Sequence, residues 1–289
     1  MGGTTLSIEW TIREVLNWTR GYFEAAGIVQ PRLEAEILLA HTLDVERLNL
    51  YISPDQPLTV DERSRYRTVV QQRREGTPLQ HLIGEVQFFG LRFRVSSEAL
   101  IPRPETEELL DHILKLVPRD RGLDCLDLGT GTGVIAVCLA RYFSQAVVTA
   151  VDVSRSALDL ARGNAALNGM EGRITFVESD WFERVTGSYD LIASNPPYVD
   201  EDDLKDLPTE VRDHEPRVAL DGGAEGIREI ARLIEDLPEH MNSNGLLLLE
   251  IGSGQGNPVV EMLEEAGFTD VRMELDLAGK SRYAVARWP

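Results

Sequence analysis

The sequence predicts a protein of two parts, a small all-α N-terminal domain and a larger α/β domain with a seven-stranded, mostly parallel sheet. Helical periodicity without any strand pattern runs through residues 1–80. From about Glu105 onward, strand-like apolar runs alternate with helical segments, and the first of these runs ends in a turn rich in glycine. Such alternation is typical of a parallel sheet that carries helices on both faces.

The N-terminal domain, 1–80, is predicted from helix start signals and apolar spacing. Thr11 followed by Glu14 fits a capping box that opens the first helix. Pro31 suits the first position of a second helix, and a shorter helix is expected to start at Asp44. The apolar stripe of the first helix is expected at Val15, Trp18, Tyr22 and Ala26.

A connector, 81–98, and the α/β domain, 99–289, follow. Alternation around a glycine in Val86–Val95 predicts a β-hairpin. Strands are expected at Leu123–Leu128, Ala146–Val151, Ile174–Val177, Tyr189–Ser194, Gly245–Ile251, Val271–Leu275 and Tyr283–Arg287, the last two forming an antiparallel hairpin. Helices are expected at Glu105–Val117, after Gly133, and at Ser154–Asn168, Ala224–Leu237 and Pro258–Ala266.

Composition narrows the classes of function. The chain has 48 acidic against 29 basic side chains, a formal charge of −19, which disfavours nucleic acid as a partner. Cys125 and Cys138 lie in apolar runs without metal-ligand spacing, so we expect buried, reduced thiols and no metal. Met1–Trp10 lacks the features of a leader, and no run is long enough to span a membrane, so a cytoplasmic protein is expected.

The glycine-rich turn is the candidate cofactor site. Glycines allow a sharp turn and the close approach of a ligand, and the helix N-terminus that follows favours a carboxylate. Asp152, at the end of the next strand, is placed to accept hydrogen bonds from ribose hydroxyls. A tight turn without ligand is the weaker alternative. The candidate residues of the turn are Asp127, Gly129, Thr130, Gly131, Thr132 and Gly133.

These features leave the cofactor open between a dinucleotide and a methyl donor. The spacing favours the methyl donor, because Val134 stands where the NAD fingerprint has its last glycine. After the third strand, Asp180 is placed to bond an adenine amino group, and the indole of Trp181 to stack on the base. From composition alone, Trp181 fits a core aromatic equally well.

The segment Asn195-Pro196-Pro197-Tyr198 follows the fourth strand and is the candidate reacting centre. Its prolines remove two N–H donors and leave carbonyl oxygens free, and the side-chain oxygen of Asn195 is a second acceptor. Two acceptors suit an NH₂ group, which donates two hydrogens, and Tyr198 can cover a flat amide or base. A rigid turn is the alternative, but the neighbouring glycine turn and Asp152 favour catalysis.

The chemistry of an amide nitrogen explains why these two acceptors are needed. The lone pair of an amide nitrogen is delocalised into its carbonyl, which makes the nitrogen a poor nucleophile. Acceptors that bind the NH₂ hydrogens return electron density to nitrogen and hold it in line with an electrophilic methyl group. No strong general base is required before transfer, because the proton can leave afterwards.

With these motifs in place, the chain resembles the bacterial release factor glutamine methyltransferases, the PrmC/HemK family. The resemblance covers nearly the whole chain, and Ile101–Glu107, Ile-Pro-Arg-Pro-Glu-Thr-Glu, is its most specific segment. Ser253-Gly254 departs from the family pattern, whereas Glu250 and Gln255 nearby fit it. Further matching segments are Pro78–Gly84, Asp127–Gly133, Ser179–Phe182, Asn195–Tyr198, Glu215–Arg217 and Leu220–Gly223.

The resemblance implies a Rossmann-like class I methyltransferase domain that uses S-adenosyl-L-methionine, yields S-adenosyl-L-homocysteine and needs no metal. It implies methylation of N5 of the glutamine in the Gly-Gly-Gln motif of class I peptide chain release factors, with the helical domain docking that protein substrate. Asn195, Pro196 and Tyr198 are the implied catalytic residues, and Pro197 completes the substrate site. A cytoplasmic monomer without direct nucleic-acid or membrane contacts is expected.

Three rival interpretations share part of the pattern. A DNA adenine-N6 or cytosine-N4 amino-methyltransferase would use the same Asn195–Tyr198 chemistry, but would need a basic cleft for a flipped base. A non-enzymatic module that binds S-adenosylmethionine or a dinucleotide and acts by association would not need the intact Asn195–Tyr198 segment. An NAD-dependent dehydrogenase would bind NAD tightly.

Overall fold

The computed structural model describes residues 10–289, in two compact units, one ending at Gly84 and one formed by Glu85–Pro289. The leader prediction rests on Met1–Trp10, of which all but the last residue lie outside the described part. The finer division into 1–80, 81–98 and 99–289 stays a prediction.

The first unit is helical, as predicted. Its helices are α1 Ile12–Ala25, α2 Pro31–Leu43, α3 Arg47–Ile52, α4 Val60–Arg74 and α5 Leu79–Ile83. The capping box of α1 is confirmed, because the Thr11 hydroxyl accepts from the Glu14 amide and the Glu14 carboxylate accepts from the Thr11 amide. α2 begins at Pro31, as its fixed φ favours.

Two details of this unit differ from the prediction. Asp44 does not start a helix: it ends α2 in the left-handed conformation, with φ 54°, and α3 begins only at Arg47. The buried face of α1 also differs from the predicted apolar stripe. Trp18 is 50% exposed, because the spacing of the buried residues places it outside that face. The buried residues are Ile12, Val15, Thr19 and Phe23.

The second unit begins with the predicted hairpin, β1 Glu85–Phe88 and β2 Leu91–Arg94, and continues as an α/β fold. The remaining strands are β3 Asp124–Leu128, β4 Val147–Asp152, β5 Ile174–Glu178, β6 Tyr189–Ser194, β7 Met241–Glu250, β8 Thr269–Leu275 and β9 Ser281–Arg287. The helices are α6 Pro104–Leu116, α7 Val134–Tyr142, α8 Arg155–Leu167, α9 Thr209–Arg212, α10 Arg228–His240 and α11 Gly256–Glu265.

The seven strands β3–β9 form one sheet in the order β5-β4-β3-β6-β7-β9-β8. Five neighbouring strands are parallel, and β9 runs antiparallel to both β7 and β8, which confirms the predicted C-terminal hairpin. The chain moves outward from β3 to β5 and then returns to the other side of β3 with β6. This reversal creates a crevice at the carboxyl ends of β3 and β6, where α/β sheets bind their ligands.

Alternating residues of the strands pack into two cores, one on each face of the sheet. Cys125 and Leu191 belong to a core with α6 and α7, whereas Leu126 and Ile192 belong to a core with α10 and α11. This alternation follows from the two-residue repeat of a strand. Both faces are buried, so the strands are apolar nearly throughout.

The predicted helix Ala224–Leu237 begins later than expected, at Arg228. Glu225 and Gly226 both have positive φ, 57° and 67°, so the chain makes a tight turn here before α10 starts. A positive φ is incompatible with a right-handed helix, and the apolar spacing that predicts the helix does not reveal it.

Asn164 of α8 connects the hairpin to the glycine-rich turn. Its Nδ2 donates to the carbonyls of Arg94 and Thr132, at 3.0 and 2.8 Å, and its Oδ1 accepts from the Arg94 amide at 2.7 Å. The side chain is fully buried, and these three bonds to the backbone satisfy both its oxygen and its nitrogen, the bond to Thr132 being buried throughout.

We therefore expect Asn164→Ala to lower the free energy of unfolding of the second unit by about 3 kcal/mol, since it removes three hydrogen bonds made by a fully buried side chain. Denaturant unfolding monitored by the tryptophan signal measures this loss. Asn168→Ala, one turn further along and more exposed, is the matched control and should cost less than about 1 kcal/mol. Equal losses in the two variants would contradict the assignment.

Candidate active site

A cavity of about 490 Å³ lies at the carboxyl ends of the parallel strands. The sheet register places its walls: Leu128 of β3 is paired with Val151 of β4 and with Ser194 of β6, so the residues that follow each strand meet at one edge. Among the predicted site residues, those that line the cavity are Gly129, Thr130, Gly131, Thr132, Asp152, Asp180, Trp181, Asn195 and Pro197.

The glycine-rich turn forms the floor of the cavity. Gly129 and Gly131 have φ of 71° and 54°, the left-handed region that side chains disfavour. Gly133 does not line the cavity; a Cβ there would stand 3.0 Å from the Cβ of Ala161, so this glycine lets α7 pack closely against α8.

Asp127 lies beneath the turn rather than in the cavity wall. Its Oδ2 accepts from the Thr130 hydroxyl at 2.6 Å and from the Ala136 amide at 3.0 Å, which ties the turn to the start of α7. Its Oδ1 is buried and has no hydrogen-bond partner among the described residues. Burial raises the pKa of Asp127 to about 7. An unpartnered buried carboxylate oxygen suits a cationic or donor group of a ligand.

Asp152 ends β4 at the cavity. Its Oδ2 accepts from the Gly131 amide at 2.8 Å and its Oδ1 from the Ser154 amide at 2.9 Å. Burial raises the pKa of this carboxyl group, and the backbone donors oppose that shift. These bonds hold the carboxylate in place and leave lone pairs for hydroxyl groups of a ligand.

Asp180 and Trp181 form a side wall. The Asp180 carboxylate is paired with Arg232 at 2.9 Å, and the Trp181 indole N–H donates to Glu229 at 3.0 Å. Trp181 has a φ of 42°, a strained conformation for a side-chain-bearing residue, and its ring lies against Gly129. The indole therefore lies over the glycine turn, held by contacts with α10.

The Asn195–Tyr198 segment leaves β6 next to the turn. The Ser194 hydroxyl donates to the Leu128 carbonyl at 2.7 Å, which joins the ends of β6 and β3. Asn195 and Pro197 line the cavity, whereas Pro196 is buried and Tyr198 does not line it. The segment is thus placed as predicted, but only part of it faces the cavity.

Two polar side chains behind Asn195 belong to the site and were not among the predicted site residues. Asn195 Nδ2 donates to Thr106 Oγ1 at 3.1 Å, and Thr106 Oγ1 donates to Glu250 Oε2 at 2.7 Å. Glu250 is fully buried, and burial raises its pKa to about 7. Thr106 lies in the Ile101–Glu107 segment, and Glu250 ends β7; both fit the family pattern. The sequence therefore marks both residues, but it does not indicate what either side chain does in the site.

Tyr198 is held from several sides. Its hydroxyl faces Glu250 Oε1 at 3.5 Å, and the Arg282 guanidinium lies 5.9 Å from its ring centre. Burial, and then the charge of Glu250, raise the pKa of Tyr198 to about 12. Gln255 Nε2 donates to the Tyr198 carbonyl at 3.0 Å and to the Gly226 carbonyl at 3.1 Å, so this main chain is anchored.

Arg103 links the Ile101–Glu107 segment to the loop before α10. Its guanidinium donates to both carboxylate oxygens of buried Glu215 at 2.8 Å. Burial raises the pKa of Glu215, and Arg103 opposes that shift. Arg103 itself lines the cavity, so the pair ties the cavity wall to this loop.

Other features of the described residues concern metals, membranes and thiols. Across residues 10–289, no group of three or more His, Cys, Asp or Glu side chains is placed to hold a metal ion. In the same range, no helix has both the length and the apolar composition needed to cross a membrane. Cys125 and Cys138 are buried free thiols, as predicted.

Comparison with known proteins first defines the class. A family model described as "Methyltransferase small domain" matches residues 105–211, and one described as "PrmC N-terminal domain" matches residues 14–84. Together with the sheet order and the cavity at its switch point, this match makes the chain a methyltransferase.

Relatives then define the family. A release factor glutamine methyltransferase from Geobacter sulfurreducens is 40% identical over 96% of this chain and 97% of its own length. Those from Rhodopirellula baltica and Bacillus subtilis are each 37% identical, over 98% and 94% of this chain and 98% and 96% of their own lengths. The chain belongs to the family of release factor glutamine methyltransferases.

Solved structures show the same fold. A methyltransferase from Pyrococcus furiosus matches with a TM-score of 0.53 at 22% identity, covering 69% of this chain and 89% of that one. A 16S rRNA N2 G1207 methyltransferase from Thermus thermophilus, in complex with AdoMet and guanosine, matches with a TM-score of 0.51 at 18% identity, covering 71% and 50%.

The raised pKa of Asp127 makes a prediction about stability. When folding raises the pKa of a carboxyl group, the contribution of that group to stability is complete only at a pH below its ordinary pKa, here 3.8. The contribution of Asp127 is lost as the pH rises through about 7. Asparagine stays neutral, and its side-chain oxygen can still accept from the Thr130 hydroxyl and the Ala136 amide. We therefore expect Asp127→Asn to raise the melting temperature of the ligand-free protein at pH 8 by about 2–4 °C.

Calorimetry at pH 8 and pH 5 measures this effect, which should shrink at the lower pH. Asp180→Asn is the control, because Asp180 is partly exposed and paired with Arg232, and it should give no rise. A melting temperature of Asp127→Asn at or below that of the wild type at pH 8 would show that Asp127 is not destabilising in the folded state.

Proposed function

We propose that this protein transfers a methyl group from S-adenosyl-L-methionine to N5 of the glutamine in the Gly-Gly-Gln motif of class I peptide chain release factors. The observation that carries the proposal is the position of Asn195, which lines the cavity beside the glycine-rich turn. Membership in the family supports the choice of a protein glutamine as substrate.

The hydrogen bonds of Asn195 support an amide substrate. Because Nδ2 is engaged with Thr106, Oδ1 is the atom of the Asn195 amide that is available to accept from a substrate NH₂ group. The prolines remove two backbone donors that would repel that group. Asn195 Oδ1 and the carbonyl of Pro196 would then accept the two hydrogens of the substrate NH₂ group. The bound sulfonium supplies an activated methyl group.

The residues around the cavity fit S-adenosyl-L-methionine. We assign Asp152 to its ribose hydroxyls, Asp180 and Trp181 to its adenine, and Gly129–Gly131 to its methionine part, with Asp127 beneath. The fit rests on the left-handed glycines, where side chains would strain the backbone, and on the Asp152 carboxylate, which two backbone amides hold at the cavity wall. Asp127 and Gly133 support this site from outside the cavity lining.

We also expect the helical first unit to dock the release factor. We expect the protein to work as a cytoplasmic monomer, without metal and without direct contact to nucleic acid or membrane. The DNA amino-methyltransferase shares the chemistry of Asn195, but a chain with formal charge −19 is poorly suited to bind DNA.

The direct assay incubates the protein with methyl-labelled S-adenosyl-L-methionine and either a purified class I release factor or duplex DNA. We expect label on the release factor only, and its loss when the glutamine of Gly-Gly-Gln is replaced by alanine. Label on DNA alone would overturn the proposal, as would unchanged labelling of the alanine-substituted release factor.

Asn195→Ala tests the residue that carries the proposal. Because the variant lacks the acceptor for the substrate NH₂ group, we expect kcat to fall by about 100-fold or more, with S-adenosyl-L-methionine affinity largely kept. Calorimetric titration measures the affinity, and methyl transfer to the release factor measures kcat. Transfer at the wild-type rate would refute the assigned role of Asn195.

A further inference from the structure

A buried chain of hydrogen bonds connects Asn195 to a carboxylate on another strand. Thr106 of α6 lies between them: its Oγ1 is 3.1 Å from Asn195 Nδ2 and 2.7 Å from Glu250 Oε2. Thr106 is 3% exposed and Glu250 is fully buried, so the Thr106–Glu250 bond is shielded from water, and the Asn195–Thr106 bond is partly buried at the cavity wall. Thr106 lies in α6, Glu250 ends β7 and Asn195 directly follows β6, so the sheet and its covering helix bring the three groups together.

The chemistry of each group determines which atom donates and which accepts along this chain of hydrogen bonds. An ionised carboxylate only accepts, and a threonine hydroxyl has a single proton to donate. When Glu250 takes that proton, Thr106 Oγ1 can only accept from its other neighbour. The neighbour must then present its NH₂ group, so the Asn195 amide is held with Nδ2 toward Thr106 and with Oδ1 on the opposite side.

The opposite orientation of Asn195 would be harmful to the reaction. A flipped amide would direct its NH₂ group at the NH₂ group of the substrate, replacing an attraction with a repulsion. The two ends of an asparagine side chain have nearly the same shape, so packing alone discriminates weakly between them. A fixed donor direction at Thr106 provides that discrimination.

We propose that Thr106 and Glu250 are positioning residues that set the orientation of the Asn195 amide, so that its oxygen faces the substrate nitrogen. The proposal rests on the proposed function, because it assumes a substrate that donates hydrogens to Asn195. The same carboxylate faces the Tyr198 hydroxyl at 3.5 Å, so Glu250 contacts both ends of the Asn195–Tyr198 segment, one of them through Thr106.

Thr106→Val tests the chain, because valine keeps the shape of threonine and removes both its donor and its acceptor. We expect kcat for the release factor to fall by about 10- to 100-fold, the kinetic equivalent of one lost buried hydrogen bond. The KM for the release factor and the Kd for S-adenosyl-L-methionine should stay within about twofold. The assay is run at pH 8.5, where Glu250, with a pKa of about 7, is ionised.

Thr106→Ser restores the hydroxyl and should return kcat to within about threefold of the wild type. Glu250→Gln should lower kcat, because an amide can present either an acceptor or a donor to Thr106. Since both residues act through one chain, the double variant Thr106→Val with Glu250→Gln should lose little more than Thr106→Val alone.

Tyr283→Phe is the matched control for loss of a buried hydroxyl close to Glu250. Tyr283 is fully buried and its hydroxyl donates to the Glu105 carbonyl at 2.8 Å, outside the chain to Asn195. We expect this variant to melt at a lower temperature with kcat unchanged. Thr106→Ala, which also lacks the hydroxyl but adds no methyl group, replaces Thr106→Val should the latter fail to fold.

The outcomes separate the two proposals. Failure of the wild-type protein to methylate any release factor overturns the proposed function. Wild-type transfer with an undiminished kcat in Thr106→Val overturns the positioning chain alone. A kcat in Thr106→Ser as low as in Thr106→Val also overturns it, because shape rather than the hydroxyl would then matter.

Discussion

The parallel pairing of β3 with β6 is the constraint on which the site depends. Leu128 and Ser194 are the last paired residues of these strands, and the Ser194 hydroxyl joins them by a bond to the Leu128 carbonyl. The next residue of one strand is Gly129 and of the other is Asn195. A register shift of one residue would turn every side chain of β6 to the opposite face, and the two motifs would no longer meet at the cavity.

Two buried carboxylates are the second main feature of this site. Asp127 and Glu250 are both fully buried, and burial raises the pKa of each to about 7. Removing a charged group from water costs free energy, so these residues make the ligand-free fold less stable at neutral pH. Each one orients hydrogen-bond donors: Asp127 the glycine turn, Glu250 the threonine behind Asn195. Such destabilising groups are typical of functional sites.

Much of the fold and the position of the candidate site could be predicted because the signals are local. Short apolar runs between helical segments predict β3–β6, and the glycines and Asp152 predict the edge of the sheet where the cavity lies. Relations between distant segments could not be predicted. The roles of Thr106 and Glu250 depend on α6 packing beside β7, and the sequence pattern does not report that distance. Helix α10 begins later in the chain than predicted, because Glu225 and Gly226 have positive φ angles. The apolar spacing does not reveal these angles.

Mass spectrometry of a class I release factor isolated from cells that lack this protein tests the central claim most directly. The account predicts that the glutamine of the Gly-Gly-Gln motif carries one methyl group in parental cells and none in the deleted strain. It also predicts that the wild-type gene restores the methyl group and that a gene with Asn195→Ala does not. A glutamine that remains methylated in the deleted strain would contradict the assignment of substrate.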